Sequence, residues 1–316
     1  MTAQSGTELK AIALAIAAVS FFAAMDSTVG WLSTHAALPL LMMLWFRYVV
    51  QAVASTAMFW PQRRMSLFQT RHPWLQLLRG LLLLACSGFA FLSLKFLPVG
   101  EFTAIIMMTP IIITLVASYQ FKEHVSALRW VLVFGGFAGV LTIIRPGHES
   151  FSWAWLLPFI VMLSNTGFQL LTSRMTKDED PATMHVYTGW VGTLCCTLVL
   201  PWAWTAIPRW QDWLWMAAVG GLGTYGHFLL IQAYARAPAS TLTPYMYSQI
   251  GVAMLAGWLL FSHVPDAYAL TGMALIALCG AAGAWLAVRE RQAQQDQKQH
   301  EQQANQLLDA NSDALT

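Results

Sequence analysis

Two charged side chains lie deep inside long apolar runs: Asp26 in the first run and Arg47 in the second. A charge at mid-membrane depth costs about 2.5–3.5 kcal/mol on insertion scales, so it needs a partner or a task. By rise per residue, Asp26 lies roughly 8 Å and Arg47 roughly 13 Å below the same ends of their helices. Those depths allow pairing. One reading is a structural ion pair between neighbouring helices. The other is that they line a cavity, where Arg47 could hold a carboxylate and Asp26 a proton or an ammonium group.

Other polar side chains interrupt later runs. His227 lies in the eighth, with Tyr225 nearby and Gln232 further along. Histidine changes charge near neutral pH, which makes Asp26 and His227 the proton-coupling candidates. A buried neutral His227 is the alternative. Asn165, Thr166 and Gln169 lie in the sixth run, and Asn165 and Gln169, four apart, share one helix face. They could join helices, at about 0.6 kcal/mol each, or touch a substrate. The fourth run carries Met107, Met108, Thr109 and Pro110; the ninth carries Thr243, Pro244, Tyr245, Tyr247 and Gln249. A proline in a span frees a carbonyl one turn back and permits a kink. Met108, Thr109, Tyr245, Tyr247 and Gln249 are therefore expected to line a cavity suited to a mixed polar and aromatic substrate, with plain core packing as the alternative for each side chain. Arg79, near a helix end, reads as snorkelling outward, with cavity lining as the alternative. Glu101 reads as a wet carboxylate at a helix end. Glycines 220, 221, 223 and 226 read as close packing or a hinge, and Gly135-x-x-x-Gly139 as close packing in the monomer or a dimer contact.

The elements that must position these residues are ten apolar stretches, near 10–31, 38–60, 74–94, 101–121, 127–145, 152–172, 183–206, 212–233, 241–261 and 267–288. A spanning helix needs roughly 20 apolar residues, whereas a barrel would show alternating segments of about 10. The chain is 57% hydrophobic and 10% charged, against about 25% charged for a soluble domain. No room remains for a folded soluble domain. The fold class expected is an all-α membrane protein with ten transmembrane helices.

Lys and Arg sort by loop. Thirteen fall on one side: Lys10, Arg63, Arg64, Arg71, Arg79, Lys122, Arg129, Arg174, Lys177, Arg236, Arg289, Arg291 and Lys298. Three fall on the other: Lys95, Arg145 and Arg209. The crowded side is cytoplasmic by the positive-inside rule, and both termini join it. Trp153, Trp155, Trp202, Trp204, Trp210, Trp213 and Trp215 cluster at outer ends like an interfacial belt, and Trp60 and Trp74 flank the first basic loop. The four cysteines sit in apolar stretches without metal spacing and read as small buried hydrophobes.

The halves echo each other at an offset of 140: Pro98 with Pro238, Thr103 with Thr243, Leu115 with Leu255, Phe121 with Phe261. Five helices per half, an odd number, thread the second half upside down, as in secondary transporters built from inverted repeats. The expected units are residues 1–147, residues 148–288 and a polar cytoplasmic tail, 289–316, read as disordered. There is no Walker-type loop, no His-Glu-x-x-His and no Gly-x-Ser-x-Gly, so neither ATP hydrolysis nor another enzyme activity is expected.

The stretch Leu97-Pro98-Val99-Gly100-Glu101 through Pro110, then Phe121-Lys122-Glu123, then Gly135-Gly136-Phe137-Ala138-Gly139-Val140 to Arg145-Pro146-Gly147 resembles the EamA repeat of the drug/metabolite transporter superfamily. Met25-Asp26, Pro39 and Trp45-Phe46-Arg47-Tyr48 resemble its beginning. The chain departs from that pattern at Gly30, where many relatives carry Lys, and at His263, where the second repeat often carries Glu. The resemblance implies an inverted five-plus-five arrangement, a central cavity and alternating access. Export of an amino acid or related metabolite is the first expectation, in a bacterial-type inner membrane. The alternative is a non-transporting receptor, scaffold or intramembrane enzyme. Expected partners are the lipid bilayer and a small-molecule substrate, with proton coupling as an option, no nucleic acid, no cofactor, no metal, and a monomer or homodimer.

Overall fold

The computed structural model describes residues 2–35, 38–109, 127–145, 152–175, 178–207, 209–234 and 245–283, with isolated positions between and after them. Pro110, Leu115, Phe121, Lys122, Glu123, Pro238, Thr243, Pro244 and the tail beyond 289 lie outside the described residues. Among those described there is no strand. Ten helices follow in order: α1 (Thr2–His35), α2 (Leu40–Arg63), α3 (Pro73–Leu94), α4 (Val99–Ile106), α5 (Ala127–Ile144), α6 (Leu157–Met175), α7 (Pro181–Val199), α8 (Trp210–Tyr234), α9 (Ser248–Phe261) and α10 (Ala267–Gly283). Among the described residues, five stretches are long and apolar enough to cross a membrane: Leu9–His35, Leu40–Phe68, Pro73–Leu94, Trp153–Thr172 and Pro181–Trp202.

Local chemistry sets the helix ends. Pro73 and Pro181 open α3 and α7, where a missing N–H costs nothing. The Asp180 side chain caps α7 by accepting the Ala182 N–H at 2.7 Å. α9 stops where Ser262 turns left-handed at φ 52°, and its N–H returns to the Trp258 carbonyl.

Helix partners recur with a shift of five. α1 packs on α8 as α6 packs on α3; α2 packs on α8 as α7 packs on α3; α2 with α7 and α4 with α9 map onto themselves. Two glycines 140 apart mark the rule. A Cβ on Gly80 of α3 would lie 2.6 Å from the Val191 Cβ of α7, and one on Gly220 of α8 would lie 2.5 Å from the Val50 Cβ of α2. α5 and α10 meet the same way: a Cβ on Gly139 would lie 2.8 Å from the Gly272 carbonyl oxygen. The Gly135-x-x-x-Gly139 stripe is thus used inside the monomer. The expected belt tryptophans are exposed except Trp155, which is partly buried.

Contacts between helix ends sort into two groups. At one end His263 meets Glu101, Arg145 meets Asp266 and Phe96 meets Trp153. At the other Arg63 meets Asp180, the 70–72 connection meets Glu179, and the Tyr187 hydroxyl donates to the Phe68 carbonyl. Each contact joins loops that the charge count puts on one side. Glu101 is a correction: it was expected to be wet, but it is only 5% exposed. His263 covers it from the end of α9.

Candidate functional site

Arg47 projects from α2 into the seam with α1 and α8 and is 2% exposed. One of its terminal nitrogens lies 3.4 Å from His227 Nε2 on α8. A guanidinium can only donate, so Nε2 accepts and the imidazole is neutral with its proton on Nδ1. Gly223, one turn before His227, makes room: a Cβ there would lie 3.4 Å from Arg47 Nε and 3.0 Å from Met25 Sδ. The guanidinium also covers the Tyr48 ring at 4.7 Å, and the Tyr48 hydroxyl meets Ser87 Oγ of α3 at 3.1 Å. Arg47 Nε and Nη1 are buried without a partner. An orphaned buried donor costs about 1–3 kcal/mol.

Asp26 is 5% exposed on α1. Arg47 acts on it through space, yet neither carboxylate oxygen has a hydrogen bond or ion pair among the described residues. The structural ion pair that depth permitted is not formed. Both charges are buried, close, and incompletely satisfied.

His227 sits between two aromatic rings. Phe22 of α1 is 4.8 Å away by ring centres and Phe168 of α6 is 6.4 Å away. Gly226 admits Phe22, since a Cβ there would lie 2.6 Å from its ring. Phe168 also lies beneath Arg79 at 5.3 Å. Arg79 does not snorkel. It is 3% exposed and turns inward from α3. It donates to Thr188 Oγ1 at 2.6 Å and to the Met184 carbonyl, both on α7, and to Thr172 Oγ1 on α6 at 3.4 Å. Its long stem reaches polar groups on neighbouring helices before it could reach a surface.

The remaining expected residues divide. Gln169 donates to Asn165 at 3.2 Å along α6, and both are half-buried near Phe168. Tyr225 is 55% exposed and stacks on Phe21. Two residues from His227 is about 200° round a helix, so it faces away from the seam. Tyr245 is also exposed, at 42%. Neither tyrosine has a hydrogen bond or ring contact with Arg47 or His227. Met108 and Tyr247 are buried against glycines instead: a Cβ on Gly136 of α5 would lie 3.0 Å from Met108 Sδ, and one on Gly280 of α10 within 2 Å of the Tyr247 ring. Thr109 and Gln249 are buried beside them in sequence, and the hydroxyls of Thr109 and Tyr247 lack partners. This second group belongs to the α4–α5 and α9–α10 contacts.

Sequence reasoning missed Tyr48, Ser87, Phe22 and Phe168. The available signal was helical spacing: Phe168 is one turn from Thr172 and from Asn165 on α6. Among the described residues no cluster of His, Cys, Asp and Glu could hold a metal ion. Arg47 faces Asp26, Arg79 lies over Phe168, and both arginines keep unpaired N–H groups beside aromatic rings. Such a site can stack a flat ring and donate to acceptors on its edge.

The profile of the EamA-like transporter family matches residues 9–145 and 152–286. A riboflavin transporter of Brucella anthropi is 25% identical over 266 residues, 83% of this chain and 93% of that protein. A riboflavin transporter of Vibrio cholerae is 29% identical over 187 residues, 57% of this chain and 61% of that protein. An S-adenosylmethionine uptake transporter of Rickettsia bellii is 24% identical over 208 residues, 66% of this chain and 71% of that protein. A solved crystal structure aligns over 90% of this chain and 98% of its own with a TM-score of 0.61; at 19% identity the likeness concerns fold alone.

Proposed function

Because the chain belongs to the EamA-like transporter family, whose members are transporters rather than enzymes, we propose that it carries a flat heteroaromatic metabolite of riboflavin's kind into a bacterial cell across the inner membrane. Two relatives are named for riboflavin, and a third for S-adenosylmethionine uptake. These names do not support amino-acid export, so both the direction and the solute expected from resemblance are replaced. The observation that carries the reading is Arg47: a buried cation with two unpaired nitrogens, beside a histidine held between two rings. A flavin ring offers carbonyl and ring-nitrogen acceptors to such donors.

The same proposal includes ten crossings in two oppositely threaded five-helix bundles, both termini in the cytoplasm, and alternating access between the bundles. The five-helix shift in packing partners and the sorting of loop contacts onto two ends support it. Opposite threading lets one bundle rock against the other around a fixed site.

Reconstituted vesicles provide the test. Wild-type protein should take up labelled riboflavin, and Arg47→Ala should reduce the rate about 10- to 100-fold, the loss expected when a charged donor is removed. No uptake by wild type, or full uptake by a folded Arg47→Ala variant, overturns the reading. Asp26 carries a second reading. A buried carboxylate without a contact partner suits a sulfonium, and competition by S-adenosylmethionine but not by riboflavin would select it. Proton coupling is assigned to Asp26 or His227; uptake driven by a pH gradient that survives Asp26→Asn and His227→Gln removes it.

A further inference from the structure

A separate pocket of about 200 Å³ opens between α2, α7 and α8 at the end of the bundle that carries Arg63 and Asp180. Phe59 of α2 and Phe228 of α8 form its aromatic walls, and Gln232 adds an amide. His185 of α7 completes the lining. It is more than nine-tenths buried, and its Nε2 has no hydrogen-bond partner. A buried polar atom without a partner calls for an explanation, and a ligand in the pocket that His185 lines would supply one once the ring turns toward it. At the rim, Arg63 Nη1 meets Asp180 Oδ2 at 2.8 Å. The Arg63 side chain is about half in solvent while Asp180 is fixed as the cap of α7, so the bond opens by movement of Arg63.

The pocket is distinct from the Arg47 seam and lies next to the residues that hold Arg79. His185 follows Met184, whose carbonyl holds Arg79, and precedes Thr188, which holds the same guanidinium. Size decides what fits. Pockets that enclose a whole drug-sized ligand run to roughly 300–1,000 Å³. This one is smaller and takes a fused ring, not a whole metabolite with its polar chain. Two phenyl walls favour a flat occupant, and the histidine nitrogen and the amide favour one with polar edge atoms.

We propose that this pocket is a ring-docking subsite for a planar heteroaromatic ligand, with His185 Nε2 as its hydrogen-bonding group and the Arg63–Asp180 pair as its door. The choice of a flavin ring as probe rests on the function proposed above; the pocket itself does not. Lumichrome, the flavin's fused ring without its ribityl chain, is titrated against purified full-length protein, and its fluorescence is followed. Arg47→Ala protein should still bind lumichrome, and adding His185→Leu should weaken binding about tenfold or more. Phe228→Ala should do the same and decides the matter if the His185 variant fails to fold. Loss of lumichrome binding in Arg47→Ala alone overturns the subsite, because the ring would then be held at the central seam. Unchanged binding in both pocket variants overturns it too. Lumichrome binding that depends on His185, in a protein that moves no riboflavin, supports the subsite and overturns only the transport reading.

Discussion

Two buried glutamates at opposite ends of the bundle are held in opposite ways. Glu179, between α6 and α7, gives one oxygen to three donors: Thr70 Oγ1 at 2.7 Å and the N–H groups of Arg71 and His72 at 2.7 and 2.9 Å. Glu101, in the first turn of α4, has a single partner, His263 Nε2 at 3.0 Å, and its other oxygen is buried and bare. The first is a joint. Its donors are mainly backbone, fixed where α3 begins, and cannot move away without unravelling the connection. The second is a single contact between two side chains. The difference teaches that burial alone does not make a charged contact rigid; the number and kind of donors do.

The largest effect is expected at the joint. Burial alone would raise the Glu179 carboxyl, but the Thr70 hydroxyl, the two backbone N–H groups and the His72 ring together hold it below the ordinary range. A depressed carboxyl stabilises the fold fully above the ordinary glutamate value of about 4.3, and that contribution disappears as pH falls through the lower folded value. Glu179→Ala should cost about 3 kcal/mol in detergent unfolding at pH 7. Glu179→Gln should flatten the acid limb of the stability curve. An unfolding transition unmoved by either change would break the comparison.

A smaller effect is expected opposite. Glu101→Gln keeps a hydrogen-bond acceptor for His263 and removes a charge that was half unsatisfied, so it should cost about 1 kcal/mol or less. A loss equal to that of Glu179→Ala would show that the two ends are fastened alike. The smallest effect belongs to Arg145 and Asp266, an exposed pair beside Glu101 and His263. Asp266 is held low first by the Ala269 N–H and then by Arg145, so the helix cap outlasts the ion pair. Arg145→Ala should change stability by less than about 1 kcal/mol, and the change should shrink in high salt. A salt-independent loss above that would mean the pair is buried on assembly.

Much of this was legible beforehand because lipid imposes strict rules. α3 was expected at 74–94 and runs Pro73–Leu94; α8 was expected at 212–233 and runs Trp210–Tyr234. Asp26, Arg47 and His227 stood out since a charge or imidazole in an apolar run is costly wherever it points. Arg79 was misplaced for a related reason: depth follows from counting residues, but direction follows from what the neighbouring helices offer. Tyr225 failed on phase, being polar and close in sequence to His227 but on the opposite face. His185 sits so near the start of α7 that it resembles an interfacial residue, and only the walls from α2 and α8 make it a pocket.

The amino-acid order by itself determined the helices, the sorting of loops onto two ends and the echo between halves, because apolar length, charge asymmetry and periodicity act through local spacing. Only tertiary structure decided which polar groups meet. Arg47 and His227 are 180 residues apart and Glu101 and His263 are 162 apart. No local rule links such positions; helix packing, set by glycines such as Gly80, Gly220 and Gly223, brings them within reach.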